Sequence, residues 1–172
     1  PGPCRTGRVA DVAAPARPAE GETLYEGFVY RRHGGHQLGL LAPGRGPRHI
    51  VLAKDDSRIS AVTEMGCTVL FYEKENGAYQ LRQEIRTIPE DFSGSTTCAA
   101  IWMTPDGRWL MASNRGHDSL AIYRVADDGS LTLRGIAPSG GQTPRDFRII
   151  PAAGGQDYWI LSASQDEDKI ST

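Results

Sequence analysis

The sequence predicts an all-β fold built from repeated four-stranded antiparallel units. Two observations support this prediction: short β-rich runs are separated by turn signals every ~8–12 residues, and a unit of about 50 residues recurs along the chain. Four-stranded units of this length are typical of the blades of a β-propeller. A β-sandwich also contains many short strands, but the fixed period favours the propeller.

The repeat becomes visible when two stretches of the chain are aligned. Residues 48–52 match residues 99–103, and at the same spacing residues 69–72 fall on residues 120–123. A third copy runs from Arg145 to Ile170 and carries a short insertion in its first turn. The alignment therefore indicates successive copies of one structural unit.

Turn chemistry separates the strands within a unit. In the clearest copy we predict strands at 100–104, 109–113, 119–125 and 131–137. Pro-Asp-Gly at 105–107 and Asp-Gly at 128–129 suit tight hairpins, because glycine tolerates the positive φ that such turns require.

The composition divides the chain into two regions. Residues 1–22 are rich in Ala, Pro, Gly and Arg without periodicity, and we predict a poorly ordered N-terminal segment there. Residues 23–172 form a partial β-propeller domain, with units at about 23–43 (partial), 44–94, 95–140 and 141–172 (partial).

Charge and hydropathy exclude several classes of partner. The net charge is −2 and acids and bases are interspersed, whereas nucleic-acid or membrane-surface binding needs a basic face. No apolar run approaches the ~20 residues of a membrane span. The N-terminus lacks the apolar segment of a secretory signal and an initiator Met, so we predict a cytoplasmic protein and a truncated chain.

The cysteines do not form a recognisable metal or disulfide pattern. Cys4, Cys67 and Cys98 cannot all pair within one chain, and none has the spacing of a zinc ligand. We predict free, mostly buried thiols in a reducing compartment, and neither a metal nor another cofactor.

One end of the predicted propeller carries most of the chemistry. In an antiparallel unit, the loop between the second and third strands lies at the same end as the crossover to the next unit. These segments are rich in charge, whereas the opposite turns are simple Asp-Gly and Asn-Gly types. We therefore expect one rim to collect the following side chains: Arg48, His49, Glu64, Arg115, His117, Arg145 and Asp146.

This set of residues suits an anionic ester as substrate. Arginine binds carboxylate or phosphate in bidentate fashion and stabilises an oxyanion, and a carboxylate or imidazole can deprotonate water. We assign the candidate catalytic roles to Glu64, Arg115 and His117. We assign substrate binding to Arg48, His49, Arg145 and Asn114.

Each candidate also has a structural interpretation. Arg48 and Arg145 follow a proline at the same position of their units, and bonding of carbonyls between units is their alternative role. Glu64 is alternatively a strand-end acid paired with an arginine, and His117 a residue that hydrogen-bonds its own loop. Asp146 is more typical of a turn-capping acid than of a catalyst.

Several segments carry a recognisable family pattern: 46–50 (Gly-Pro-Arg-His-Ile), Glu64, 88–94, 105–108, 113–119 (Ser-Asn-Arg-Gly-His-Asp-Ser) and 143–147. They resemble the lactonase family of seven-bladed propellers, which includes 6-phosphogluconolactonases and carboxy-cis,cis-muconate cyclases. The resemblance implies hydrolysis of 6-phospho-D-glucono-1,5-lactone to 6-phosphogluconate in the pentose phosphate pathway, with no metal. It also matches Arg48, Glu64 and Arg115 to the arginine–glutamate–arginine set proposed for the cyclases.

Two other functions stay open at this point. One is a lactonizing enzyme of the cyclase type, which needs the same arginines and acid–base group. The other is a non-catalytic scaffold, although scaffolds favour aromatic and apolar hot spots over Arg, Glu and His.

The length of the chain limits the ring that it can build. Seven blades need roughly 350 residues, so this chain supplies about three to three and a half blades. We expect a fragment, or one half of a split or dimerised ring, that needs the remaining blades or a second copy for closure. The alternative that the chain on its own is inactive stays open.

Overall fold

A computed structural model describes residues 26–32, 35–41, 44–154 and 157–172, the first two ranges as backbone. The predicted N-terminal segment and Cys4 lie outside the described residues, as does Gly155 in the short insertion of the third copy. The strands, in chain order, are β1 Glu26–Arg32, β2 Gly35–Leu41, β3 Pro47–Leu52, β4 Arg58–Thr63, β5 Thr68–Glu75, β6 Ala78–Arg86, β7 Thr97–Met103, β8 Trp109–Arg115, β9 Ser119–Val125, β10 Leu131–Pro138, β11 Pro144–Pro151, β12 Tyr158–Ser164 and β13 Lys169–Ser171.

The strands form separate antiparallel sheets in which each strand pairs with its sequence neighbour. We name them blade 1 (β1–β2), blade 2 (β3–β6), blade 3 (β7–β10) and blade 4 (β11–β13). A 3-10 turn, Gln165–Glu167, lies between β12 and β13. These meandering sheets confirm the predicted all-β, partial β-propeller fold.

The first strands of neighbouring blades lie side by side. Strand β7 of blade 3 contacts both β3 of blade 2 and β11 of blade 4. First strands that pack around a common line, with later strands farther out, are the geometry of propeller blades. The same ends of successive blades therefore face one rim.

A buried apolar cluster fills the space between blades 2 and 3. Blade 2 contributes Val69 and Phe71 from β5, and blade 3 contributes Ile101, Leu110 and Tyr123. Because side chains alternate along a strand, the intervening residues of β5 face the opposite side of blade 2. Both faces of the middle strands are thus buried, which explains their near-continuous apolar sequences.

Blade 3 packs against blade 4 through a smaller cluster. Ala100, Met111 and Leu120 of blade 3 surround Phe147, which is 1% exposed. On the far side of blade 4, Trp159 and Ile170 are largely exposed among the described residues. Each neighbouring pair from blade 2 to blade 4 is therefore joined by an apolar cluster of its own.

Polar bonds also connect the outer parts of blades 2 and 3. The Gln83 amide donates to the Leu131 carbonyl and accepts from its N–H, both at 2.8 Å. The Tyr123 hydroxyl donates to the Arg86 carbonyl at 2.6 Å. These bonds fix the lateral position of one blade relative to the next.

In the described part of the chain, no helix is long and apolar enough to cross a membrane.

The seam between blades 2 and 3 predicts a strong position dependence of leucine truncation. Leu110→Ala, at a site that is fully buried, should lower the free energy of unfolding by about 2–5 kcal/mol through lost contacts and a residual cavity. Leu81→Ala, where the side chain is 47% exposed, should change it by less than about 0.5 kcal/mol. Urea denaturation followed by tryptophan fluorescence measures both, and equal losses would contradict this packing.

Candidate active site

The candidate site lies where blades 2 and 3 meet at one rim. Glu64 directly follows β4, Arg48 is the second residue of β3, and Arg115 is the last residue of β8. The start of β3 and the end of β4 share an end because the two strands are antiparallel. The Glu64 N–H donates to the Gly46 carbonyl at 2.6 Å, which ties the loop to the preceding crossover.

Irregular pairing directs the arginines toward the rim. The register shifts between Pro47 and His49 in β3, and again between Pro144 and Asp146 in β11. An extra residue in one strand bends it and re-aims its side chain. The extra residues are Arg48 and Arg145, one from each blade.

Sequence reasoning did not foresee these bulges, although a signal was present. Each arginine follows a proline, and proline cannot donate a hydrogen bond to a strand ladder. The same Pro-Arg pair in two units marks a place where regular pairing stops. A third shift, between Cys98 and Ile101 in β7, has no proline and gives no such signal.

The Glu64 carboxylate lies between two guanidinium groups. Arg115 Nη2 donates to Glu64 Oε1, and Arg48 Nε lies 3.7 Å from Glu64 Oε2. The side chains of Arg48 and Arg115 are 17% and 16% exposed, against 36% for Glu64. The carboxylate therefore reaches solvent while the two cations that hold it are largely enclosed.

Both arginines also bond to the backbone of β7. Arg48 Nη1 donates to the Ala99 carbonyl across the blade interface, and Arg115 Nη2 donates to the Cys98 carbonyl at 3.0 Å. Arg48 therefore links blade 2 to blade 3 and also forms an ion pair with Glu64. Such bonds hold each guanidinium group in one orientation relative to Glu64.

The electrostatic environment extends to blade 4. Burial lowers the pKa of Arg48, the Glu64 carboxylate raises it, and the charges of Arg115 and Arg145 lower it. Arginine remains protonated under such shifts. The Asp146 carboxylate also raises the pKa of Arg48, so the environment of Arg48 combines two other guanidinium groups with two carboxylates.

His49 belongs to the same environment. Burial lowers the pKa of His49, and the positive charge of Arg48 lowers it further, whereas Asp146 and Glu64 raise it. The fold therefore favours the neutral imidazole, which can accept a proton or a hydrogen bond.

Arg145 and Asp146 occupy the blade 4 side of the rim. Arg145 is exposed, and its Nη1 donates to Gln165 Oε1 at 2.8 Å. Asp146 Oδ1 accepts hydrogen bonds from Trp102 Nε1 at 3.1 Å and from Arg148 Nη1 at 3.0 Å. Asp146 thus connects blades 3 and 4, and Gln165 is the hydrogen-bond partner of the exposed Arg145 among the described residues.

His117 does not join the Glu64 cluster. Its Nδ1 lies 2.7 Å from Ser119 Oγ, and its ring packs edge-on against Phe92 at 4.6 Å. The polar partner of His117 among the described residues is therefore the first residue of β9, two positions along the chain. Direct catalysis by His117 stays a prediction that these contacts do not support.

Asn114 lies inside blade 3 rather than at its surface. Its side chain is fully buried, and its Nδ2 donates to the Thr87 carbonyl at 2.8 Å and to Ser119 Oγ at 3.0 Å. Its Oδ1 accepts from the Cys98 thiol at 3.3 Å. The expected substrate contact stays a prediction that these contacts do not support, because Asn114 is buried within the blade and its amide is occupied by internal bonds.

The described side chains contain no group of three or more His, Cys, Asp or Glu residues placed to hold a metal ion. The absence of a metal or cofactor stays a prediction.

Comparison with known proteins supports the propeller fold and identifies relatives of the chain. A family model described as "Lactonase, 7-bladed beta-propeller" matches residues 34–172. The chain is 40% identical over 131 residues to an uncharacterized protein of Staphylococcus saprophyticus, covering 76% of this chain and 37% of that protein. An uncharacterized Lactococcus lactis protein is also 40% identical over 131 residues, covering 74% and 37%.

Two solved structures share the arrangement of blades. The periplasmic gluconolactonase of Pseudomonas aeruginosa is 29% identical, with a TM-score of 0.70, and covers 77% of this chain and 36% of its own. A candidate 6-phosphogluconolactonase of Bacteroides fragilis is 30% identical, with a TM-score of 0.65 and the same coverage. The chain thus spans little more than a third of the length of these relatives.

The charges around His49 predict opposite shifts of its pKa. Arg48→Gln removes a repelling cation and should raise the pKa of His49, whereas Asp146→Asn removes an attracting anion and should lower it. Titration of the His49 ring by NMR measures both shifts. Shifts of the same sign in both variants would contradict this arrangement of charges.

The lowered pKa of His49 also affects stability. Because the folded pKa lies below the unfolded value of about 6.5, the unfolded chain binds the proton more readily. The contribution of His49 to the free energy of unfolding therefore falls as the pH drops below about 6.5.

Proposed function

Because the chain belongs to the lactonase family of seven-bladed β-propellers, we propose that it supplies part of the active site of a lactone hydrolase. The observation that carries the proposal is the Glu64 carboxylate, held between Arg48 and Arg115 at the solvent-facing rim. A rigid scaffold that presents acid–base and anion-binding groups on loops is a common basis for catalysis.

The proposed reaction is hydrolysis of a cyclic ester. Glu64 accepts a proton from a water molecule, and the resulting hydroxide attacks the lactone carbonyl carbon. The carbonyl oxygen becomes an oxyanion, which a guanidinium group of Arg48 or Arg115 stabilises. The bond from the carbonyl carbon to the ring oxygen then breaks, the ring oxygen takes up the proton, and a hydroxy acid is released.

We propose 6-phospho-D-glucono-1,5-lactone as the substrate and 6-phosphogluconate as the product. The three arginines of the rim support a phosphorylated substrate, because guanidinium groups bind phosphate in a fork geometry. The names of the two structural relatives support a sugar lactone, with and without the phosphate. We assign the phosphate to Arg145, which is exposed and lies on the neighbouring blade.

The cellular setting and the closure of the ring belong to the same proposal. We place the reaction in the cytoplasm and in the pentose phosphate pathway, although the Pseudomonas relative is named as periplasmic. We also propose that further blades, or a second copy, pack against the exposed Trp159 and Ile170 of blade 4 and complete the rim.

The cyclase-type reaction is the second candidate. The contact of Arg48, Glu64 and Arg115 favours it, because the resemblance assigns these three residues to catalysis in the muconate cyclases. Its substrates carry several carboxylates, which the arginines would bind in place of phosphate. Comparing turnover of a carboxymuconate with turnover of the phosphorylated lactone separates the two.

Removal of the Glu64 charge tests the proposed function. Glu64→Gln keeps the shape of the side chain but cannot accept the proton, so kcat for lactone hydrolysis should fall by about 10²-fold or more. The matched control is Glu73→Gln, because Glu73 is 39% exposed and ion-paired with Arg82 in blade 2. Acid release, measured in the natural polypeptide that contains these residues, gives both rates. Equal rates for Glu64→Gln and the control would contradict the proposal.

Removal of Arg145 tests the substrate assignment. Arg145→Ala should raise KM for the phosphorylated lactone by about tenfold or more, because a charge-assisted hydrogen bond contributes ~1.5–3 kcal/mol. KM for unphosphorylated gluconolactone should stay unchanged, as should both constants in Arg82→Ala. An equal increase of KM for both lactones would remove Arg145 as the phosphate ligand.

A further inference from the structure

Two free thiols meet between blades 2 and 3, directly behind Glu64. Cys67 lies in the turn between β4 and β5, and Cys98 is the second residue of β7. Both belong to the apolar cluster between the blades, with Cys67 6% exposed and Cys98 fully buried. Each thiol lies close enough to the other to shift its pKa.

Neighbouring groups hold the two cysteines together. Thr87 Oγ1 lies 3.1 Å from Cys98 Sγ and donates to the Cys67 carbonyl at 3.0 Å, so that one hydroxyl contacts both residues. Cys67 Sγ lies 3.6 Å from the carbonyl of Thr96, two residues before Cys98. Contacts with Thr87 and Thr96 therefore hold Cys67 close to Cys98.

The thiol pair is connected to the candidate site through the main chain. Cys67 Sγ lies 3.8 Å from the Glu64 carbonyl, and the Cys98 N–H donates to that same carbonyl at 2.9 Å. The Cys98 carbonyl accepts from Arg115 at 3.0 Å. Any new bond between the thiols would therefore join the two segments that present Glu64 and Arg115.

The two thiols differ in reactivity. The neighbouring Cys98 thiol lowers the pKa of Cys67 to about 7, which makes thiolate available near neutral pH. The same contact, together with burial, raises the pKa of Cys98. Cys67 is also the thiol with some exposure, so a small oxidant meets the more reactive sulfur first.

We propose that Cys67 and Cys98 form a reversible oxidation site, a dithiol that closes to a disulfide between blades 2 and 3. The proposal goes beyond lactone hydrolysis and does not depend on it. The oxidant is a peroxide, and the reductant that restores the site is a dithiol.

The proposed chemistry proceeds in two steps. The Cys67 thiolate attacks one oxygen of hydrogen peroxide, the O–O bond breaks, and the released hydroxide takes a proton to form water, leaving a sulfenic acid. The sulfur of Cys98 then attacks the Cys67 sulfur, and the sulfenic oxygen leaves as a second water molecule. Two thiols are oxidised to one disulfide, and one peroxide is reduced to two water molecules.

Mass spectrometry of the peroxide-treated chain tests this proposal. A Cys4→Ser background leaves only the two thiols of interest. We expect free thiols to disappear pairwise, with the loss of two hydrogens per chain and a cross-link between tryptic peptides 59–74 and 87–108. Dithiothreitol should reverse the change completely.

Two single variants of the Cys4→Ser chain serve as controls. In Cys98→Ala, the Cys67 sulfenic acid should persist and react with dimedone, because no second thiol resolves it. In Cys67→Ala, the buried Cys98 should stay reduced under the same treatment. Independent oxidation of the two cysteines without a cross-link, or a cross-link only between chains, would overturn the proposal. The Cys4→Ser chain keeps both cysteines, so it gives this result even where a single variant does not fold.

Discussion

The packing of blade 2 against blade 3 is the constraint on which the candidate site depends. Side chains of β5 such as Val69 and Phe71 interlock with Leu110 and its neighbours, and a slip of one residue would turn them away from the seam. With the register set in this way, the end of β4 lies beside the end of β8. Glu64 and Arg115 meet because of this apolar contact, and their own attraction adds to it.

The same contact explains why the arginines serve two purposes. Arg48 and Arg115 lose water on burial, which disfavours their charges, and Glu64 together with carbonyls of β7 offsets that cost. A guanidinium group has more donors than these partners occupy. An arginine that links blades is therefore also an arginine that can bind an anion, so the structural and functional interpretations describe one arrangement.

A polar layer lies directly behind the charged rim. Asn114, Thr87 and the two thiols bond mainly to one another and to nearby carbonyls, which satisfies polar groups that water cannot reach. Because Cys98 bonds through its main chain to both Glu64 and Arg115, this layer supports the geometry of the site. The rim thus combines a carboxylate that reaches solvent with a layer of hydrogen-bonded polar groups beneath it.

The sequence by itself determined the strands, the repeat and the end of each blade at which Arg48, Glu64 and Arg115 lie, because turn chemistry and alternation are local properties of the chain. It did not determine the bulges that aim Arg48 and Arg145, the burial of Asn114, or the closeness of the free thiols Cys67 and Cys98. Those features depend on which face of a strand meets the next sheet. Only the tertiary structure decides this, since the partners in each contact lie about 10 to 50 residues apart and meet through packing between and within blades.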